Sequence, residues 1–157
     1  MFRRVKVSEF EKALLLRDGR FVRLLEAGVH WVRGELIAVD VRRRDTVVEA
    51  APVLTRDLVP VGVRARLAYR VSDPVAAVMR SYDYRSILAN DAVASIHRSV
   101  SRVSMADLAA EHNRLETLIQ DRLALELTSY GVRIEDVAIV QVRLPRAIRK
   151  KLKRMEV

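Results

Sequence analysis

Histidine, carboxylate and glycine are the residues from which this chain would have to build a reactive or ligand-holding site, because it contains no cysteine. The three histidines, His30, His97 and His112, are far apart in sequence. His112 follows Glu111, yet neither H-E-x-x-H nor another ligand spacing surrounds it, so no metal centre is expected. The acidic pairs Asp107/Glu111 and Asp121/Glu126 fall on arginine-rich helical stretches, where ion pairing along the helix is their ordinary use. Each of the five glycines stands alone, which leaves no phosphate-cradling loop, and no G-x-S-x-G or S-x-x-K nucleophile motif is present. The chain therefore reads as non-enzymatic, with no catalytic, metal or cofactor-binding residue and no cofactor.

What the chain does offer is positive charge. Its formal net charge is +9 over 157 residues, and residues 145–157 hold Arg146, Arg149, Lys150, Lys151, Lys153 and Arg154 against one acid, Glu156. A basic terminal patch of this kind suits an anionic surface, whether lipid head groups, nucleic acid or an acidic protein, and otherwise reads as a solvated helix end. At the other end Phe2, Arg3, Arg4, Val5 and Lys6 mix apolar and basic side chains, as a short edge strand or an interfacial segment would. No run approaches the ~20 apolar residues needed to cross a bilayer as a helix. The N-terminus lacks the apolar stretch of a secretory signal.

The elements that must position these residues follow from hydrophobic period. The clearest signal is residues 55–74, where Val59, Val61, Val63, Ala65, Leu67, Tyr69 and Val71 share one parity and Arg64, Arg66 and Arg70 share the other. Alternation of that kind predicts a long strand with a buried face and a basic, wet face. Pro60 and Gly62 lie on the polar parity and suggest that its first third is an edge or a bulge, so the strand is best placed at 63–71. Ahead of it, Asp18-Gly19 between two apolar runs predicts a tight hairpin of residues 13–17 with 21–25. A turn is expected at Ala27-Gly28, and strands at 36–41 and 46–50 are joined by Arg42-Arg43-Arg44-Asp45.

After Ser72-Asp73-Pro74 the period changes. Asp73 and Pro74 predict a helix start and a short helix over 75–80. Ala89, Ala92, Val93, Ile96, Val100 and Val103 recur at helical spacing and predict a helix over 85–102. Ser104 and Asp107 mark another start, and the stripe Leu108, Leu115, Ile119, Leu123, Leu127 and Tyr130 places one helix before Gly131, a C-terminal cap glycine. Residues 132–144 return to strand, with a change of parity near Glu135-Asp136 that either a bulge or a twist explains. Pro145 opens a last helix on which Ile148, Leu152 and Met155 stand at heptad-like spacing, as in the first turns of a coiled coil. The class is α+β, with residues 1–11 as an N-terminal basic and apolar segment, 12–144 as the domain, and 145–157 as the start of an oligomerisation helix.

Several of these segments together resemble the SPFH (band 7) domain of stomatins, slipins and prohibitins, closest to the stomatin/slipin branch. Residues 16–31 (LRDGRFVRLLEAGVHW) are similar to the opening of that domain, and Val39-Asp40-Val41-Arg42 to its V-D-L-R strand. Leu54-Thr55-Arg56-Asp57, Tyr69-Arg70-Val71-Ser72-Asp73-Pro74, Asp83-Tyr84, Tyr130-Gly131-Val132 and Val142-Arg143-Leu144-Pro145 follow in family order. Two departures are Ala27 in place of a proline and Val32-Arg33-Gly34 after the His30-Trp31 pair. The resemblance implies a strongly curved antiparallel sheet with helices on one side, a membrane hairpin before the domain and a long coiled coil after it. With neither of these two segments in the sequence, a truncated piece or a soluble or peripheral relative is expected.

By that resemblance the leading expectation is a homo-oligomeric scaffold, cytoplasmic and membrane-associated in the full-length protein and soluble as given. It would organise membrane microdomains and modulate membrane proteins or membrane proteases, with an anionic membrane surface as partner. The other reading is a basic nucleic-acid-binding module. It is less favoured, since the cations lack the interleaved aromatics on which bases stack.

Overall fold

The computed structural model describes residues 1–110 and 112–155, and of Leu152 and Met155 it describes the backbone only. The elements in chain order are β1 (Arg3–Val7), β2 (Glu11–Arg17), β3 (Arg20–Leu25), β4 (Gly28–Val32), β5 (Glu35–Asp40), β6 (Arg44–Leu54) and β7 (Pro60–Val71). Then come α1 (Pro74–Met79), α2 (Tyr84–Val100), α3 (Met105–Ala110), α4 (His112–Leu127), a 3-10 turn (Thr128–Tyr130), β8 (Val132–Arg143) and α5 (Arg146–Met155).

The strands form three separate antiparallel sheets, in the orders β1-β4, β3-β2-β5 and β6-β7-β8. This corrects the expectation of one strongly curved sheet. The chain passes between sheets four times, first at residues 8–10 between β1 and β2 and last at residues 41–43 between β5 and β6. At the last, Asp40 holds the turn. Its Oδ1 accepts the backbone N–H of Arg42 at 2.9 Å, and its Oδ2 accepts from the Nη2 atoms of Arg42 and Arg44, each at 2.6 Å. Helices α2 and α4 lie against the third sheet, so the chain is a mixed α and β fold with antiparallel sheets and packed helices.

Strand β7 is the centre of the third sheet, bonded to β6 on one edge and β8 on the other. Its odd positions from Val61 to Val71 are all buried, and Val63, Ala65 and Leu67 have no exposed surface at all. The strand begins at Pro60, three residues ahead of the expected start at Val63, and ends at Val71 as expected. Residues 55–59 form a turn in which the Thr55 N–H donates to the Val59 carbonyl at 3.1 Å and Leu58 takes φ +64°. The irregularity that Pro60 and Gly62 suggested belongs to the neighbouring strand. In β6 the register shifts between Ala50 and Val53, so Ala51 and Pro52 oppose the single residue Gly62. That extra residue changes parity mid-strand, which is how Val48, Ala50 and Val53 all reach the core. The shift near Glu135 in β8 is likewise a bulge, and a second one follows at Val140. The first bulge keeps Val132 and Ile134, then Val137 and Ile139, on the buried face, and the second returns Val142 to that side.

The helices cover that face. Leu88, Ala92, Ile96 and Val100 of α2 and Leu115, Ile119, Leu123 and Leu127 of α4 are buried in one cluster with β6, β7 and β8. Truncating any of the large members to alanine costs about 2–5 kcal/mol. Asp73 caps α1 by accepting the Ala76 N–H at 3.2 Å, and Asp83 caps α2 by accepting the Arg85 N–H at 3.0 Å. Helix is present on both sides of Glu111, which lies outside the described residues, as expected of the segment before Gly131, while Tyr130 falls in the 3-10 turn that follows α4. The hairpin at Asp18-Gly19 forms as expected, with φ +53° and +74°.

Gly131 joins the helical half to β8. It has φ +68°, and its carbonyl accepts the N–H groups of Ser72 and Asp73 at 2.8 and 3.1 Å. A Cβ there would stand 2.1 Å from the Asp73 carbonyl oxygen. Gly131→Ala is therefore expected to lose about 2–4 kcal/mol of stability, from the left-handed backbone and the overlap together. Urea unfolding measures this, and an unchanged midpoint would contradict the junction's role.

Asp40 yields a second prediction. Its hydrogen bond to the Arg42 side chain, reinforced by Arg44 and opposed by desolvation, holds its carboxyl well below the usual carboxylate range. A carboxyl lowered by folding stabilises above its unfolded pKa of about 4, and that contribution fades as pH falls below it. Asp40→Asn should therefore be less stable than the parent chain at pH 7, and the gap should narrow between about pH 4 and 2. A gap independent of pH would show that the charge on Asp40 does not hold the turn.

Candidate functional site

The N-terminal basic and apolar residues acquire a definite geometry once their partner strand is known. Strand β1 pairs with β4, a strand absent from the sequence reading, in the register Arg3↔Val32, Arg4↔Trp31, Val5↔His30, Lys6↔Val29 and Val7↔Gly28. Directly opposed residues of an antiparallel ladder share a face. One face therefore carries Arg3, Val5, Val7, His30 and Val32, and the other carries Arg4, Lys6, Val29 and Trp31.

The first of these faces is turned inward. Val7 and Val32 are buried with Ala13, Leu15 and Leu25, and Val5 and Leu36 pack against them. Arg3 at its edge donates from Nη2 to the Gly34 carbonyl at 2.9 Å. His30 Nε2 donates to the Glu26 carbonyl at 2.7 Å, so this histidine is used in holding the Glu26 turn.

The second face is open. Trp31 is 65% exposed and Val29 51% exposed, with Arg4 and Lys6 exposed across from them. Phe2, one residue ahead of the strand, is 63% exposed. An indole, a phenyl and an isopropyl group thus stand among two cations on a surface without apolar cover. That mixture suits the boundary between water and lipid, where an aromatic ring has an apolar body to bury and the cations meet anionic head groups.

Of the five N-terminal residues singled out from sequence, three contribute to this surface (Phe2, Arg4 and Lys6), while Arg3 and Val5 belong to the inward face. Val29 and Trp31 were missed. Their alternation is confined to five residues, and a strand with apolar side chains on both faces gives no parity signal.

The other basic residues stand elsewhere. Arg64, Arg66 and Arg70 lie on the outer face of the third sheet, but not alone. Arg64 is opposite Glu49, and Arg70 Nε donates to Glu135 Oε1 at 3.0 Å. Arg43 reaches the same glutamate at 3.5 Å. This face is one of mixed charge, because the neighbouring strands bring carboxylates that the sequence of β7 does not contain. Arg146, Arg149, Lys150, Lys151, Lys153 and Arg154 are all exposed on α5, where Ile148 is half-buried. The side chains of Leu152 and Met155 lie outside the described residues, so the heptad-like stripe is untested there. Among the described residues, no helix is long and apolar enough to cross a membrane.

The motif segments prove to be structural joints. Thr55, 2% exposed, donates its hydroxyl to Asp57, and Asp57 accepts the Met105 N–H at 3.1 Å, tying the turn before β7 to the start of α3. These bonds, the Thr55 one foremost, keep the Asp57 carboxyl below its ordinary value.

Comparison with known proteins agrees with this frame. The SPFH domain / Band 7 family model matches residues 5–157. An archaeal protein of Archaeoglobus fulgidus is 28% identical over 147 residues, covering 92% of this chain and 59% of that protein. A stomatin homologue of Pyrococcus horikoshii is 26% identical over 151 residues, covering 94% and 57%. Stomatin-3 of Caenorhabditis elegans is 32% identical over 108 residues, covering 69% and 40%. The chain thus spans less than two thirds of these relatives' own length. A family model that accounts for nearly every residue, over a fold whose joints are the motif segments themselves, places the chain in the SPFH domain / Band 7 family.

Proposed function

We propose that this chain is the SPFH domain of a stomatin-like scaffold, non-enzymatic, that rests on an anionic membrane through the outer face of β1 and β4. The observation that carries the reading is the grouping of Trp31, Val29 and Phe2 with Arg4 and Lys6 on one uncovered face. Apolar area and charge are both needed for such a contact: each cation near an anionic surface contributes about 1 kcal/mol, and the aromatic groups add the burial of apolar surface. Assembly with further copies would proceed from α5, whose Ile148, Leu152 and Met155 spacing suits a continuing coiled coil. A scaffold of this kind organises membrane microdomains and modulates neighbouring membrane proteins or proteases. The names of the stomatin relatives support that reading.

Trp31 is the only tryptophan in the chain, so its fluorescence reports directly on this face. On adding vesicles containing phosphatidylserine, the emission should shift to the blue and the protein should float with the vesicles. Neutral phosphatidylcholine vesicles should give neither effect at physiological salt. Replacing Arg4 and Lys6 together by glutamine should weaken binding about 30-fold, two charges at about 1 kcal/mol each. Arg64→Gln on the outer face of the third sheet should change it little. An unshifted emission with no flotation would overturn the proposed face.

A further inference from the structure

The joint between β5 and β6 shapes a second feature that neither the family nor the membrane face explains. A shallow cleft of about 550 Å³ opens there, lined by Arg42, Arg43, Arg44, Asp45, Thr46, Tyr69 and Arg85. The three consecutive arginines fan apart. Arg42 lies over the Phe10 ring at 4.1 Å from its centroid, Arg43 crosses to Glu135 on β8, and Arg44 stands opposite Tyr69 on β7. Arg85 enters from the first turn of α2.

The charges around this cleft do not balance. Asp40 is shared by Arg42 and Arg44, and Glu135 is shared by Arg43 and Arg70. Arg85 has no carboxylate within ion-pair distance among the described residues. Four guanidinium groups, Arg42, Arg43, Arg44 and Arg85, thus line the cleft with one carboxylate, Asp45, while Asp40, Glu135, Glu11 and Asp83 act on them from outside the lining. Each guanidinium has five N–H donors in a fixed fork, and sharing one carboxylate between two of them leaves donors free for a further acceptor.

We propose that this cleft binds a phosphomonoester group through Arg43, Arg44 and Arg85, with the Tyr69 hydroxyl as an additional donor. A phosphomonoester carries about −1.5 to −2 charges at pH 7 and three acceptor oxygens, which suits a lining of four guanidinium groups and one carboxylate. A phosphodiester or a carboxylate carries one charge and two such oxygens. The volume lies in the range of small-ligand sites and admits a group larger than a single inorganic ion. Two sources share this chemistry: a phosphorylated lipid head group and a soluble polyphosphate.

Two arms of one experiment separate them. Titration calorimetry with inositol 1,4,5-trisphosphate reads the soluble arm. Vesicles of phosphatidylcholine containing phosphatidylinositol 4,5-bisphosphate, compared with phosphatidylserine vesicles of equal surface charge, read the lipid arm. Arg85→Ala and Arg43→Ala should each weaken binding in the responding arm at least tenfold, Asp45→Asn should strengthen it two- to fivefold, and Arg64→Ala should stay within twofold. Circular dichroism confirms that each variant is folded. The vesicle comparison is repeated with Trp31→Ala, so that loss of the membrane face and loss of the cleft give different results. The proposal is overturned if the trisphosphate produces no heat and the two anionic vesicle types bind equally. It is also overturned if Arg64→Ala weakens binding as much as Arg85→Ala, since the attraction would then be diffuse.

Discussion

The burial of one face of β7 is the constraint on which the rest of this molecule depends. A strand bonded along both edges cannot satisfy its apolar face alone, and here that face spans Val61 to Val71. Cover comes from α2 and α4, which must therefore be amphipathic, of similar length and connected in a way that returns the chain to β8. Everything between residues 72 and 131 serves that return. Asp73 and Asp83 start helices, the Thr55–Asp57 bonds anchor the start of α3, and Gly131 closes the circuit by accepting from Ser72 and Asp73. The segments by which the family is recognisable are largely these joints, so family membership here reports folding constraints more than it reports a reactive site.

The same reasoning explains why some of the fold was legible in the sequence. A strand with one buried face and a helix with one buried stripe both write their period into the chain, as β7, α2 and α4 do. Gly131 and Asp18-Gly19 were legible for a different reason: few residues tolerate positive φ. What the sequence hid were choices between partners. Nothing in Arg3–Val7 says that Gly28–Val32 will pair with it, and nothing in Pro60 or Gly62 says that the extra residue sits on β6 instead. The separation into three sheets is of the same kind. The passage from the second sheet to the third is made at the Asp40 turn, where a carboxylate bonds Arg42 and Arg44 between the two ladders.

Candidate surfaces were less legible than the fold, because charge read along one strand omits what the neighbouring strands contribute. Arg64, Arg66 and Arg70 alternate as a basic face, yet Glu49 and Glu135 stand opposite or beside them. By contrast, Arg4 and Lys6 looked like a short basic terminus, and pairing with β4 set Trp31 and Val29 beside them. Sequence gave the correct sign of charge in both cases. Only cross-strand register tells a neutralised face from one where charge is joined to exposed apolar area.

Net charge is therefore a poor guide to where this domain meets an anion, and local imbalance is a better one. The six cations of α5 account for much of the total, but on an exposed helix each is solvated and attracts any anionic surface weakly. The joint between β5 and β6 carries fewer cations, held in place by a ring contact, a shared aspartate and a shared glutamate. Fixed donors lose less conformational freedom on meeting an acceptor than free ones do. The outer face of β1 and β4 is likewise held by its ladder. On the proposed reading these two held sites would set specificity, and the exposed charge of α5 would add range without selectivity.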